Sequence, residues 1–139
     1  MAGLIGEGVS LRGIVPQTFC FTWNVSGTVD RSADIGKAVT LDTTAPNTVK
    51  LAGSGDVVLG ILQSYEDRTN VEGIKVGTVA HKGGFKVPYV NGASALVPVV
   101  GHSVKGSAAG VVMPVAAYDG PNKVVDVDTT NGFVTLVLI

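Results

Sequence analysis

Apolar and polar positions alternate along this chain in short bursts, and glycines separate the bursts. Thr18–Val25 (TFCFTWNV) sets Phe19, Phe21 and Trp23 on one face and Thr18, Cys20, Thr22 and Asn24 on the other. That is the two-residue period of a strand. The run holds the only tryptophan, and it predicts a core strand whose aromatics anchor a barrel. Val57–Tyr65 is the most apolar run, and its β-branched residues and interior Gly60 suit a buried, bent strand. Further on, Ile74, Val76 and Ala80 alternate with Lys75 and Thr78, as in a half-buried strand. Lys82-Gly83-Gly84-Phe85 predicts a hairpin turn into a strand over Phe85–Tyr89, because paired glycines supply the positive φ that tight hairpins need.

Shorter strands are predicted over Ala38–Leu41 and Thr48–Leu51, around a turn at Asp42–Asn47, and over Leu96–Val100. Val104-Lys105 and Val111–Met113 flank a glycine-bounded turn. Lys123–Asp128 and Phe133–Ile139 flank Thr129–Gly132, where Asn131-Gly132 suits a positive-φ turn. Asp30–Lys37, Glu66–Gly73 and Ala116–Asn122 read as loops. No stretch carries a helical period. The expectation is therefore an all-β fold: a single compact β-barrel or sandwich-like domain of about ten short strands, over residues 18–139, preceded by an extended N-terminal arm over residues 1–17.

The arm (MAGLIGEGVSLRGIVPQ) has four glycines and Pro16, with Leu4, Ile5, Val9, Leu11, Ile14 and Val15 scattered without period. A free tail is usually polar, and this one is apolar. It fits an extended segment that docks on another surface, with Arg12 at the rim facing a carboxylate or solvent. Fully extended, 17 residues reach roughly 55 Å. The alternative is a strand folded back onto its own domain. Leu4, Ile5, Val9, Leu11, Arg12, Ile14 and Val15 are the candidate interface residues.

Composition supports the strand reading, with 25 valines and 19 glycines in 139 residues. Valine packs well on a pleated surface and glycine marks turns. Net charge is −1 with no basic block, so neither nucleic acid nor a membrane is an expected partner. Charged residues make up 15% of the chain, against about 25% in a typical soluble domain. So sparse a charge protects poorly against association, and part of the surface is expected to be covered by another protein. Cys20 is the only cysteine, which excludes an intrachain disulfide. The start lacks the charged-then-apolar pattern of a signal peptide, and no apolar run approaches the length of a membrane span.

Candidate chemistry is thin. His81 and His102 stand apart without the spacing of metal ligands, and one cysteine cannot build a zinc site. There is no G-x-S-x-G elbow and no phosphate-binding loop. Asp126 and Asp128 share a strand face, but no third group supports acid–base work. The reading is of a protein that is not an enzyme and uses no cofactor or metal.

Three stretches carry a resemblance: GDVVLGILQ at 55–63, IKVGTVAHKGGFKVPY at 74–89 and GHSVKGSAAGVV at 101–112. Over roughly residues 27–115 the chain resembles the small head decoration, or cement, proteins of tailed bacteriophages. The residues that match are Val58–Leu62, Val79–Val87 and Gly101–Val112. The resemblance implies a non-enzymatic structural protein, made in the bacterial host cytoplasm and mounted on the outer surface of the virion's capsid. It implies a homotrimer that clamps neighbouring subunits of the major capsid protein and stabilises the expanded shell. Repetition by symmetry would turn modest contacts into strong avidity. Two other classes stay open. One is another β-structured virion component, such as a head fibre base or a tail tube subunit. The other is a carbohydrate- or peptide-binding β module, for which Tyr65, Tyr89 and Tyr118 are the available aromatics.

Overall fold

The computed structural model describes residues 20–139. The predicted arm, with Leu4, Ile5, Val9, Leu11, Arg12, Ile14 and Val15, lies outside the described residues, as do Thr18 and Phe19. The fold is all-β. Its strands are β1 (Cys20–Val25), β2 (Ala38–Leu41), β3 (Thr48–Leu51), β4 (Gly60–Arg68), β5 (Ile74–Ala80), β6 (Gly83–Pro88), β7 (Val104–Ala108), β8 (Val111–Pro114), β9 (Asn122–Asp128) and β10 (Phe133–Leu138). One helical turn, α1 (Thr69–Glu72), joins β4 to β5.

Strands β1 to β5 close into a barrel in the order β1-β3-β2-β4-β5, and β5 returns to β1. All neighbours are antiparallel except β1 and β3. A three-stranded sheet, β9-β10-β6, and the hairpin β7-β8 make up the other half. Two cores result. Val25, Val39, Val49, Leu62, Tyr65 and Val79 fill the barrel. Ala38, Ala52 and Ile61 join Val87, Val104, Val112, Val124, Val134 and Leu136 in a second core between the barrel and the C-terminal strands. Neighbouring residues thus serve different cores: Ala38 and Val39 on β2, Ile61 and Leu62 on β4. A strand buried on both faces reads as a continuous apolar run, as Ile61-Leu62 does here.

Gly60 shows how closely β4 and β5 approach within the barrel. A Cβ there would lie 2.5 Å from the Ala80 carbonyl oxygen and 2.5 Å from a Val79 methyl. Only a residue without a side chain lets β4 begin against β5 at that distance.

The structure corrects four local expectations. Glu66–Gly73 is not a loop: β4 continues to Arg68, the α1 turn follows, and Gly73 closes it at φ 73°. Leu96–Val100 is not a strand. Pro98 interrupts it with a fixed φ and no N–H, and Val97, Val99 and Val100 are left exposed. Lys82–Phe85 is not a hairpin turn: β6 starts at Gly83 and pairs with β10, so β5 and β6 belong to different sheets. Asn122 belongs to β9 and is fully buried.

Candidate functional site

The first surface to consider lies at one end of β1. The pattern of Phe19, Phe21 and Trp23 on one face predicts a core face, which continues into Val25. Val25 is buried in the barrel and Trp23 is half-buried against the same core, but Phe21 is 57% exposed. The cause is the barrel seam. Strand β5 pairs with β1 from Cys20 to Asn24, whereas β3 reaches it only at Asn24 and Val25. Among the described residues, Cys20 to Trp23 therefore have a strand on one side alone, and the gradient of burial follows the distance from the closed part of the seam.

His81 follows β5 directly and completes this end. Its ring lies 5.3 Å from Phe21 and 5.6 Å from Trp23, centroid to centroid. Trp23 Nε1 donates a hydrogen bond to His81 Nε2 at 3.0 Å, and His81 Nδ1 lies 3.3 Å from the Leu59 carbonyl oxygen. Indole N–H can only donate. Nε2 is therefore the accepting nitrogen, and the tautomer with Nδ1–H donates to the Leu59 carbonyl. Both rings are held in place by these bonds, which leaves a fixed aromatic patch beside Cys20. Cys20 itself is half-buried.

A second apolar surface lies in the other half. Val90, Val97, Val99 and Val100 are exposed, Val100 by 61%. Beside them runs a groove of about 360 Å³ lined by Leu96, Val97, Pro114, Val115, Ala116 and Tyr118, with His102, Asp119 and Lys123 at its polar edge. Lys105 Nζ stands 4.6 Å over the Tyr118 ring, a cation–π contact. Lys123 pairs with Asp119. The wall is fixed from below by Asn122, whose amide accepts from Val104 N at 2.9 Å and donates to Val104 O at 3.1 Å. Ser103 Oγ donates to Asn122 O at 2.7 Å and accepts from Gly120 N at 3.0 Å. These bonds link the β7-β8 hairpin to β9 without leaving a buried polar group unpaired.

The carboxylates are used in turns. Asp42 accepts from the Ser26 hydroxyl, from Thr44 Oγ1 at 2.6 Å and from Thr44 N at 3.0 Å. These hydrogen bonds, Ser26's first, lower its pKa from 3.8 to about 2. Bonds from Ser32, Thr69 and Asn131 hold Asp30, Asp67 and Asp128 below the usual carboxylate range in the same way. A carboxylate that accepts several hydrogen bonds prefers the charged form. Among the described residues no three His, Cys, Asp or Glu side chains gather as a metal site, and no helix is long and apolar enough to cross a membrane. Of the tyrosines, Tyr65 is buried in the barrel and Tyr89 and Tyr118 are half-buried.

The two surfaces described are apolar and aromatic in character. Sequence reading missed the exposure of Phe21 and the role of His81. The available signal was the brevity of Thr48–Leu51, too short a strand to flank all of β1. No family model, curated protein or solved structure matches the chain.

Proposed function

We propose that this protein is a structural virion component that binds the outside of a tailed-phage capsid and cements neighbouring major capsid protein subunits. The observation that carries the reading is the exposed Phe21 beside Trp23 and His81, on the strand that follows the apolar residues 4–15 in sequence. Aromatic side chains on such a surface are the usual anchors of protein interfaces. The resemblance at residues 55–63, 74–89 and 101–112 gives the class of partner. The exposed valines around Val97–Val100 supply a separate apolar surface for contacts between copies in a homotrimer.

The test is direct. Purified protein is mixed with expanded capsid shells that lack it, and the shells are pelleted and heated. Saturable co-pelleting and a higher temperature of shell disruption are expected. Absence of binding to expanded shells would overturn the reading. Assembly of the free protein into tubes or rings would move it to another virion component.

A further inference from the structure

We propose that His81 is a pH-sensitive catch on Trp23: a proton gained at Nε2 releases the indole and loosens the patch that Phe21, Trp23 and His81 form. The release stands on the geometry alone. Only its consequence for a capsid partner rests on the cement reading.

Two hydrogen bonds hold the His81 ring, and they respond to a proton in opposite ways. Trp23 Nε1 lies 3.0 Å from His81 Nε2. An indole N–H can only donate, so Nε2 must offer its lone pair. His81 Nδ1 lies 3.3 Å from the Leu59 carbonyl oxygen. A carbonyl can only accept, so Nδ1 must carry the hydrogen. In an imidazolium both nitrogens donate. The Leu59 bond survives that change, because Nδ1–H is present in both forms. The Trp23 bond does not, because two N–H groups would then point at each other. His81 therefore stays tethered to Leu59, and the indole is the partner let go.

Trp23 is half-buried against the barrel core, so a freed indole N–H has to turn towards water or another acceptor. The His81 ring is half-buried too, within reach of solvent protons. Its centroid lies 5.3 Å from that of Phe21 and 5.6 Å from that of Trp23, close enough for a cation to be drawn to an aromatic face. The elements packed against His81 carry few titratable groups. Cys20 stands on β1, Asp56 precedes Leu59, and Lys82 is next in the chain. The Asp56 carboxylate accepts from Gly53 N at 2.8 Å. Among the described residues no carboxylate lies within ion-pair reach of His81. Imidazole is the side chain whose charge ordinarily changes between about pH 5 and 8. The patch is therefore set in mild alkali and loosened in mild acid.

Trp23 is the only tryptophan, so the folded protein gives one indole N–H signal in a nitrogen-15 spectrum. Its exchange with water is followed from about pH 8 to about pH 5, without any shell present and corrected for the intrinsic pH dependence of exchange. The corrected rate should rise about fivefold as pH falls, as expected for the loss of one ordinary hydrogen bond. The midpoint should coincide with that of the His81 ring nitrogens. His81→Gln should abolish the step. His102→Gln should keep it, and identifies the His81 ring signals by removing the others. A flat profile in the unaltered protein would overturn the proposal, and so would a step that survives His81→Gln. Should that variant fail to fold, the unaltered protein decides alone: different midpoints for the indole and the His81 ring would overturn the proposal. None of these outcomes touches the binding of shells, which is measured separately.

Discussion

Strands β1 and β10 are the same length and each sets a large apolar side chain at every second position. In β10, Val134, Leu136 and Leu138 all point into the second core and are buried. In β1, Val25 is buried, Trp23 half-buried and Phe21 mostly in solvent. Their neighbours differ. β10 is flanked along its whole length, by β9 on one side and β6 on the other. β1 has β5 along most of its length but β3 only at its last two residues. An apolar face is buried by the strands on both sides of it and by the layer opposite, so its own pattern does not decide its fate. Among the described residues, that uncovered part of β1 is the surface proposed above to meet a partner.

The comparison can be broken by substitution. The largest effect is expected in β10. Leu136 is fully buried, and Leu136→Ala should destabilise the fold by about 2–5 kcal/mol, lost transfer energy and cavity together. Urea unfolding measures it. A loss below about 1 kcal/mol would mean that the second core is loosely packed.

Next comes the bond between β9 and the β7-β8 hairpin. Asn122→Ala removes both partners of the Val104 backbone inside a buried site. The expected cost is about 1–3 kcal/mol, since unpaired buried groups lose their hydration without compensation. Faster hydrogen exchange at Val104 N should accompany it. Unchanged exchange would place the restraint on that hairpin elsewhere.

A smaller effect should follow acidification. Asp42 anchors the β2–β3 turn and has its pKa lowered to about 2. Its contribution to stability is complete above its ordinary 3.8 and is lost as pH falls through about 2. Stability should fall over that window, and Asp42→Asn should flatten this part of the pH profile. If the variant follows the parent curve, the turn does not depend on the charge.

The smallest change in folding is expected at Phe21. Phe21→Ser removes an exposed ring and should alter stability by less than about 1 kcal/mol. A loss as large as that for Leu136→Ala would show Phe21 to be core after all.

Several features of the fold can be read from the residues. The continuous apolar Ile61-Leu62, serving two cores, announces a doubly covered strand. The turn at Ala109-Gly110 has positive φ at both residues, as a two-residue hairpin turn requires, and the glycine there is visible in the sequence. What cannot be read is set by distant partners. Nothing local to Ala80-His81-Lys82 tells that the chain leaves the barrel for another sheet, because β6 is claimed by β10, some fifty residues later. Nor does TFCFTWNV reveal that β3 will flank only its end. The alternation in β1 is real, but it sets which side chains share a face and not whether that face is buried. Of the candidate site, the apolar residues among 4–15 are plain in the sequence, whereas the patch at Phe21 exists only once β1, His81 and Leu59 are brought together.

The central claim is that the uncovered end of β1 is a partner surface, and one binding measurement tests it most directly. Folded Phe21→Ser and the unaltered protein are titrated onto expanded capsid shells under the same conditions. The substituted protein should bind about tenfold more weakly or worse, as expected when an aromatic anchor is removed from an interface. Equal affinity of the two proteins would contradict the claim and move the contact surface away from this end of the barrel.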